Sequence, residues 1–252
     1  MEPILKAEHL TKIFTSSGQA PYIAVDDVSL SLFPGETLAI IGESGSGKTT
    51  IVNMLTGLLD VTSGDILLEG ESITQMKGRA MKAIYQKLQM VFQTPAESFD
   101  PRYTLGDGVA ESLVNHGMKK KKAMQEAEKL LELCGMEREI GKRYPHEVSG
   151  GQCQRAAIAR AIAINPKVLV LDEATSALDV TVQQEILQLL TRLKTERNMS
   201  YLFICHDIAL VQNFCDRVLV MHRGKIVEQG IPDDMIQHPK HPYTKNLIDS
   251  IL

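Results

Sequence analysis

Thr37-Leu38-Ala39-Ile40-Ile41-Gly42-Glu43-Ser44-Gly45-Ser46-Gly47-Lys48-Thr49 decides the fold of this 252-residue chain. Thr37–Ile41 is a short continuous apolar run, the pattern of a strand buried on both faces. It leads straight into Gly42–Thr49, which fits G-x-x-x-x-G-K-[ST] in full, and Lys48–Leu58 then reads as a helix. Glycines let backbone N–H groups turn inward around phosphate oxygens where side chains would clash. The helix aims its N-terminal dipole at the same anion. Lys48 is expected to reach the β- and γ-phosphates and Thr49 to hold Mg²⁺. Glycine-rich turns after strands are common on their own. The strand before, the helix after and the Lys-Thr pair together make this one a nucleoside triphosphate site.

Two further stretches gain meaning from that loop. Val168-Leu169-Val170-Leu171-Asp172-Glu173 is an apolar run ending in two carboxylates. Alone they would read as turn residues. Beside a phosphate loop Asp172 fits a metal-supporting role, and Glu173 is placed to activate water as a general base. Val148-Ser149-Gly150-Gly151-Gln152 opens a convincing helix through Cys153–Ala161. The paired glycines could be a linker, yet a helix start with a serine hydroxyl is also equipped for a γ-phosphate. Lys48 already serves the chain's own nucleotide, so this second surface suits the nucleotide of another copy.

Bulk properties narrow the class. Lys and Arg number 27 against 31 Asp and Glu, a net charge of -4 that argues against a dedicated nucleic-acid binder. No apolar run approaches the roughly 20 residues that cross a bilayer, and Met1–Lys6 has no secretory pattern. Cys134, Cys153, Cys205 and Cys215 lack C-x-x-C spacing and read as buried thiols. A cytosolic protein is expected, with any membrane role carried by a partner. The Lys119–Lys122 run reads as the solvated start of an amphipathic helix over Lys119–Cys134, with Met124, Ala127, Leu130, Leu131 and Cys134 on one face.

Along the chain, Ile4–Phe14, Ile23–Leu32, Ile66–Leu68, Leu88–Phe92, Val168–Leu171, Tyr201–Ile204 and Val218–Met221 read as strands. Thr94–Asn165 is mostly helical, and Val180–Arg197 is a further helix candidate. The fold class is therefore α/β, interrupted by a helical insertion.

These motifs together resemble the ATP-binding cassette (ABC) ATPases over nearly the whole chain. Ser149-Gly150-Gly151-Gln152 is similar to the family signature, with Val148 for the commoner leucine and Cys153 at a position usually long and polar. Leu171-Asp172-Glu173 resembles the second nucleotide motif, with Ala174 in place of the usual proline. The resemblance implies a P-loop NTPase (RecA-like) core over 1–93 and 166–252, with an N-terminal antiparallel β-subdomain and a helical subdomain over 94–165. It makes Gly42, Glu43, Ser44, Gly45, Ser46, Gly47, Lys48, Thr49 and Thr50 the ATP-binding loop, with Phe14 under the adenine and Tyr22 as the weaker candidate. Gln93 matches the glutamine that senses Mg²⁺ and water. Asp179, in Ser176-Ala177-Leu178-Asp179, lies in the loop that crosses to the other subunit. His206 matches the switch histidine; taken alone it would be as much a core residue as a site residue. Thr49, Gln93 and Asp172 are implied around Mg²⁺, and Glu173, His206 and Gln93 form the catalytic set.

Val91–Arg102, Ser176–Gln183 and His238-Pro239-Lys240-His241-Pro242-Tyr243-Thr244 resemble the peptide and nickel importer branch. His238 and His241 lack further metal ligands at suitable spacing, so the latter stretch reads as tail packing. The resemblance implies an ATPase that drives uptake of peptides or nickel chelates. Its partners are a second cassette, identical or different, two permeases and an extracytoplasmic solute-binding protein. Its place is the cytoplasmic face of a bacterial-type cell membrane. ATP and Mg²⁺ are expected, an iron–sulfur cluster and nucleic acid are not. The alternative is a non-transport relative in a cytosolic assembly, of the kind associated with phosphonate breakdown.

Overall fold

The computed structural model describes residues 1–15, 18, 20–176 and 178–250. In chain order the elements are β1 (Leu5–Phe14), β2 (Tyr22–Leu32), β3 (Thr37–Ile41), α1 (Lys48–Leu55), β4 (Ser63–Leu68), β5 (Glu71–Ser72), α2 (Arg79–Lys87) and β6 (Leu88–Val91). There follow α3 (Leu105–Asn115), α4 (Lys120–Leu133), α5 (Gly150–Ile162), β7 (Val168–Asp172) and α6 (Val180–Arg197). The chain ends through β8 (Ser200–Ile204), α7 (Ile208–Phe214), β9 (Arg217–His222), β10 (Lys225–Gly230), α8 (Pro232–Gln237) and α9 (Pro242–Asp249). The expected mixture of α and β holds. The chain divides into two compact units, one of residues 1–85 with 198–252 and one of residues 86–197.

In the first unit, β1 lies antiparallel between β2 and β4, with β5 beyond β4. This is the antiparallel N-terminal sheet that the resemblance implies. A second group of strands carries the phosphate loop. Here β3 is parallel to both β8 and β9, and β10 closes antiparallel on β9. Every residue of β3 and β8 is buried, as their unbroken apolar runs require. Helix α1 buries Ile51, Val52, Met54 and Leu55 and stops three residues short of the expected end at Leu58. The stop is local chemistry: the Thr56 hydroxyl donates back to the Val52 carbonyl at 2.8 Å, and Gly57 turns left-handed with φ 71°.

In the second unit β6 runs parallel to β7, with Leu88 opposite Val168 and Val91 opposite Leu171. Helices α3, α4 and α5 pack on one another. Helix α4 buries Ala123, Ala127, Leu130 and Leu131, with Cys134 capping it. Met124 is half-buried at the edge of that face, and Lys119–Lys122 are all exposed as expected. Phe99 is wedged in this unit. A Cβ on Gly108 of α3 would meet its ring at 2.5 Å, and the Arg160 guanidinium of α5 lies 4.1 Å from the ring centroid. Arg160 also donates to the Ser98 carbonyl at 2.5 Å and the Ser98 hydroxyl at 2.6 Å. The segment that follows Gln93 is thereby tied to α5. Among the described residues, no helix is long and apolar enough to cross a membrane.

Candidate nucleotide site

In the first unit the phosphate loop is shaped by what its glycines avoid. A Cβ on Gly42 would sit 2.2 Å from the Met221 carbonyl oxygen, and one on Gly47 would sit 2.5 Å from that of Ala24. Gly47 caps α1 with φ 109° and supplies no side-chain partner to the N–H groups of its first turn. Lys48 is 6% exposed, and its ammonium donates to the carbonyls of Gly42 at 2.7 Å and Glu43 at 2.9 Å. The Ser46 hydroxyl is buried without a hydrogen-bond partner among the described residues. Glu43, Ser44, Gly45 and Thr49 are exposed and Thr50 is half-buried. N–H groups without a side-chain cap at the start of α1, a buried ammonium and an orphaned hydroxyl suit a polyphosphate.

In the second unit the apolar strand β7 ends as anticipated at a buried Asp172, 7% exposed. Glu173 leaves the strand with φ 46°, a left-handed conformation that a non-glycine residue adopts at a cost of roughly 1 kcal/mol or more. The turn is held from within: the N–H and hydroxyl of Ser176 both donate to the Glu173 carbonyl, at 3.1 and 3.0 Å. Gln93 Nε2 donates to Glu173 Oε2 at 2.7 Å. Thr49 in the first unit, and Gln93 and Asp172 in this one, each carry an oxygen donor, the kind of ligand that suits Mg²⁺. Asp179 carboxylate accepts from the Val182 N–H at 3.0 Å and so caps α6. Ala177 of the expected crossing loop lies outside the described residues.

The signature stretch forms a capping box. The Ser149 hydroxyl accepts from the Gln152 N–H at 3.3 Å, and Gln152 Oε1 accepts from the Ser149 N–H at 3.0 Å. Ser149 and Gly150 are exposed at the start of α5. Gly151 is buried, and a Cβ there would meet Val182 at 2.6 Å, so no side chain fits. The helix is anchored behind this tip by Arg155, which donates to Glu185 at 2.6 Å and to the Cys134 carbonyl at 2.9 Å. Cys153 is buried, as read from the sequence, and burial pushes its thiol up. Burial likewise pushes Cys134 up to about 12.

His206 is exposed in the first unit, between β8 and α7, and Asp207 beside it caps α7 through the N–H groups of Ala209 and Leu210. Phe14 and Tyr22 face each other as the last partners of the β1–β2 ladder, 41% and 59% exposed. Both rings therefore stand at one edge, and Lys12 Nζ lies 5.2 Å from the Phe14 centroid. One residue of the loop's surroundings has no signal in the sequence: Tyr243, 200 positions on, accepts from the Glu43 N–H at 3.0 Å. Of His238–Thr244, read as tail packing, Tyr243 reaches the phosphate loop, while Lys240 and His241 are held by Glu228 of β10.

Known proteins fit this arrangement. The ABC transporter family profile matches residues 25–176. The oligopeptide transport ATP-binding protein OppF of Bacillus subtilis is 42% identical over 253 residues, covering 99% of this chain and 83% of that protein. The dipeptide transport ATP-binding protein DppF of Lactococcus lactis is 42% identical over 252 residues, covering 98% and 81%. The glutathione import ATP-binding protein GsiA of Pectobacterium atrosepticum is 44% identical over 260 residues. The match covers 99% of this chain and only 41% of GsiA. Among solved structures, the dimeric ATP-binding cassette MJ0796 bound to ADP and Pi matches with a TM-score of 0.83 at 28% identity, over 90% of this chain and 98% of that one. The chain belongs to the ABC transporter family, as an ATP-binding ATPase subunit.

Proposed function

We propose that this chain hydrolyses MgATP to drive the import of peptides through a membrane permease. The observation that carries it is a phosphate loop with a buried lysine in the same chain as a carboxylate held by Gln93 and a serine-capped signature helix. Peptides are favoured over nickel because OppF and DppF are named for peptide transport. Those transport names also weigh against a non-transport role in a cytosolic assembly.

The residues divide the work. The loop Gly42–Thr49 and the N–H groups at the start of α1 bind the phosphates, the Glu43 N–H staying on Tyr243, with Ser46 donating from its buried hydroxyl. Lys48 trades its two carbonyl partners for β- and γ-phosphate oxygens. Thr50 and Phe14 complete the nucleotide contacts. Mg²⁺, held by Thr49, Gln93 and Asp172, would neutralise charge on the phosphates. Glu173 takes the proton of the attacking water, Gln93 orients that carboxylate, and His206 donates to the γ-phosphate. Two cassettes pair head to tail, so that Ser149–Gln152 of each grips the nucleotide of the other and Asp179 lies at the crossing; the dimeric MJ0796 supports this reading.

The helical segment Thr94–Asn165 passes closure to the permease at the cytoplasmic face of the membrane. It offers a groove of about 240 Å³ lined by Phe99, Tyr103, Val114, Met124 and Arg160. A solute-binding protein delivers the cargo. The test is uptake of a labelled oligopeptide in cells that lack this chain. Uptake is expected to fall and to return with the wild-type chain but not with Glu173→Gln; unchanged uptake in the deleted cells would sink the proposal.

A further inference from the structure

One peptide group of the phosphate loop is held from both ends. The Gly42 carbonyl accepts from Lys48 Nζ at 2.7 Å, and the N–H of the same peptide, on Glu43, donates to Tyr243 Oη at 3.0 Å. The two partners come from opposite parts of the chain, the first residue of α1 and the first turn of α9. Only glycine fits at position 42, because a Cβ there would meet the Met221 carbonyl oxygen at 2.2 Å and the Ser46 hydroxyl at 2.9 Å.

Tyr243 is itself fixed. Its ring lies 3.8 Å from that of His222, the last residue of β9, at an interplanar angle of 30°. Its N–H donates to His241 Nδ1 at 3.2 Å. The N–H groups of Lys240 and His241 each donate to the Glu228 carboxylate at 2.9 Å, which pins the tail to β10. Burial raises the phenol above its ordinary value, so the hydroxyl is uncharged near neutrality.

On the reading of Gly42–Thr49 as a triphosphate loop, we infer that Tyr243 is a positioning residue for that loop. When Lys48 leaves the Gly42 carbonyl for phosphate oxygens, the peptide loses one of its two holds. The tyrosine keeps the other, and with it the direction of the loop's first turn. Preorganisation of this kind lowers the cost of binding. The C-terminal helix is thereby part of the nucleotide site without touching nucleotide.

Tyr243→Phe tests this in the full chain, since it keeps the ring on His222 and deletes only the acceptor. Amide hydrogen exchange at Glu43 is expected to quicken by about tenfold. The Kd for ATP is expected to rise about fivefold, the effect of one hydrogen bond, with the loss in KM and not in kcat. The thermal midpoint should stay within about 2 °C. A lowered midpoint with unchanged exchange at Glu43 and unchanged affinity would mark plain packing and overturn the inference. So would unchanged behaviour throughout in a wild type that binds ATP. A wild type that binds no ATP would instead overturn the reading of Gly42–Thr49, and this inference with it.

Discussion

Gln93 Nε2 holds Glu173 Oε2 at 2.7 Å across 80 positions of sequence. The amide comes from the end of β6 and the carboxylate from the end of β7, two parallel neighbours. Strand pairing therefore sets the distance between them, and the side chains need only close it. The segment beyond Gln93 is in turn fastened to α5 through Ser98 and Arg160. A displacement of the helical segment would thus be felt at Glu173 through Gln93.

Glu173→Gln removes the proposed base and keeps the shape. ATP binding should remain within about twofold, whereas phosphate release should fall by two to four orders of magnitude, the usual worth of a general base. Ordinary turnover in this variant would remove Glu173 from the catalytic set.

Gly42→Ala and Gly45→Ala separate two uses of glycine. Both have positive φ, 153° and 79°, but only at Gly42 would the new Cβ strike backbone, 2.2 Å from the Met221 oxygen; at Gly45 nothing lies within 4 Å. Gly45→Ala should cost about 1 kcal/mol of stability. Gly42→Ala should cost several times more and lose ATP binding, as thermal denaturation with and without MgATP would show. Equal melting of the two variants would contradict the described loop.

Ser149→Arg breaks the capping box and sets a bulky cation at the exposed start of α5. The cap is worth about 1 kcal/mol, too little to unfold the chain. ATP binding by the single chain should persist and hydrolysis should vanish, because the proposed grip acts on the partner's nucleotide. Residual hydrolysis at the wild-type rate would end the shared-site reading.

Thiol labelling checks the packing independently. Cys134 and Cys153 are buried and their thiols are raised by burial, Cys134 to about 12. Cys215 is half-buried. At pH 8, native chain treated with iodoacetamide should be labelled at Cys215 well before Cys134 or Cys153, and mass spectrometry would read the order. Early labelling of Cys153 would contradict its burial.

What the sequence made legible follows from distance along the chain. The strand–loop–helix around Gly42–Thr49 and the apolar run ending at Asp172 are local patterns, so their periodicity and glycines announce them. The helix that Ser149–Gln152 opens is likewise a local pattern, whereas its reciprocal cap depends on side-chain geometry. The short elements β5, β10, α7 and α8 bury too few residues to leave a period. Helix α1 was overextended because Leu58 continues its apolar pattern, whereas Thr56 and Gly57 end it through backbone geometry. The contact of Tyr243 with Glu43 depends on tertiary placement, and no spacing rule reaches 200 residues.

The left-handed backbone at Glu173 has an evolutionary consequence. Glycine would sit there without the steric penalty that any side chain meets, so the chain would fold more easily with no carboxylate at all. If Glu173 is the base proposed for it, drift towards stability pulls this position away from activity, and selection for turnover holds the glutamate in place.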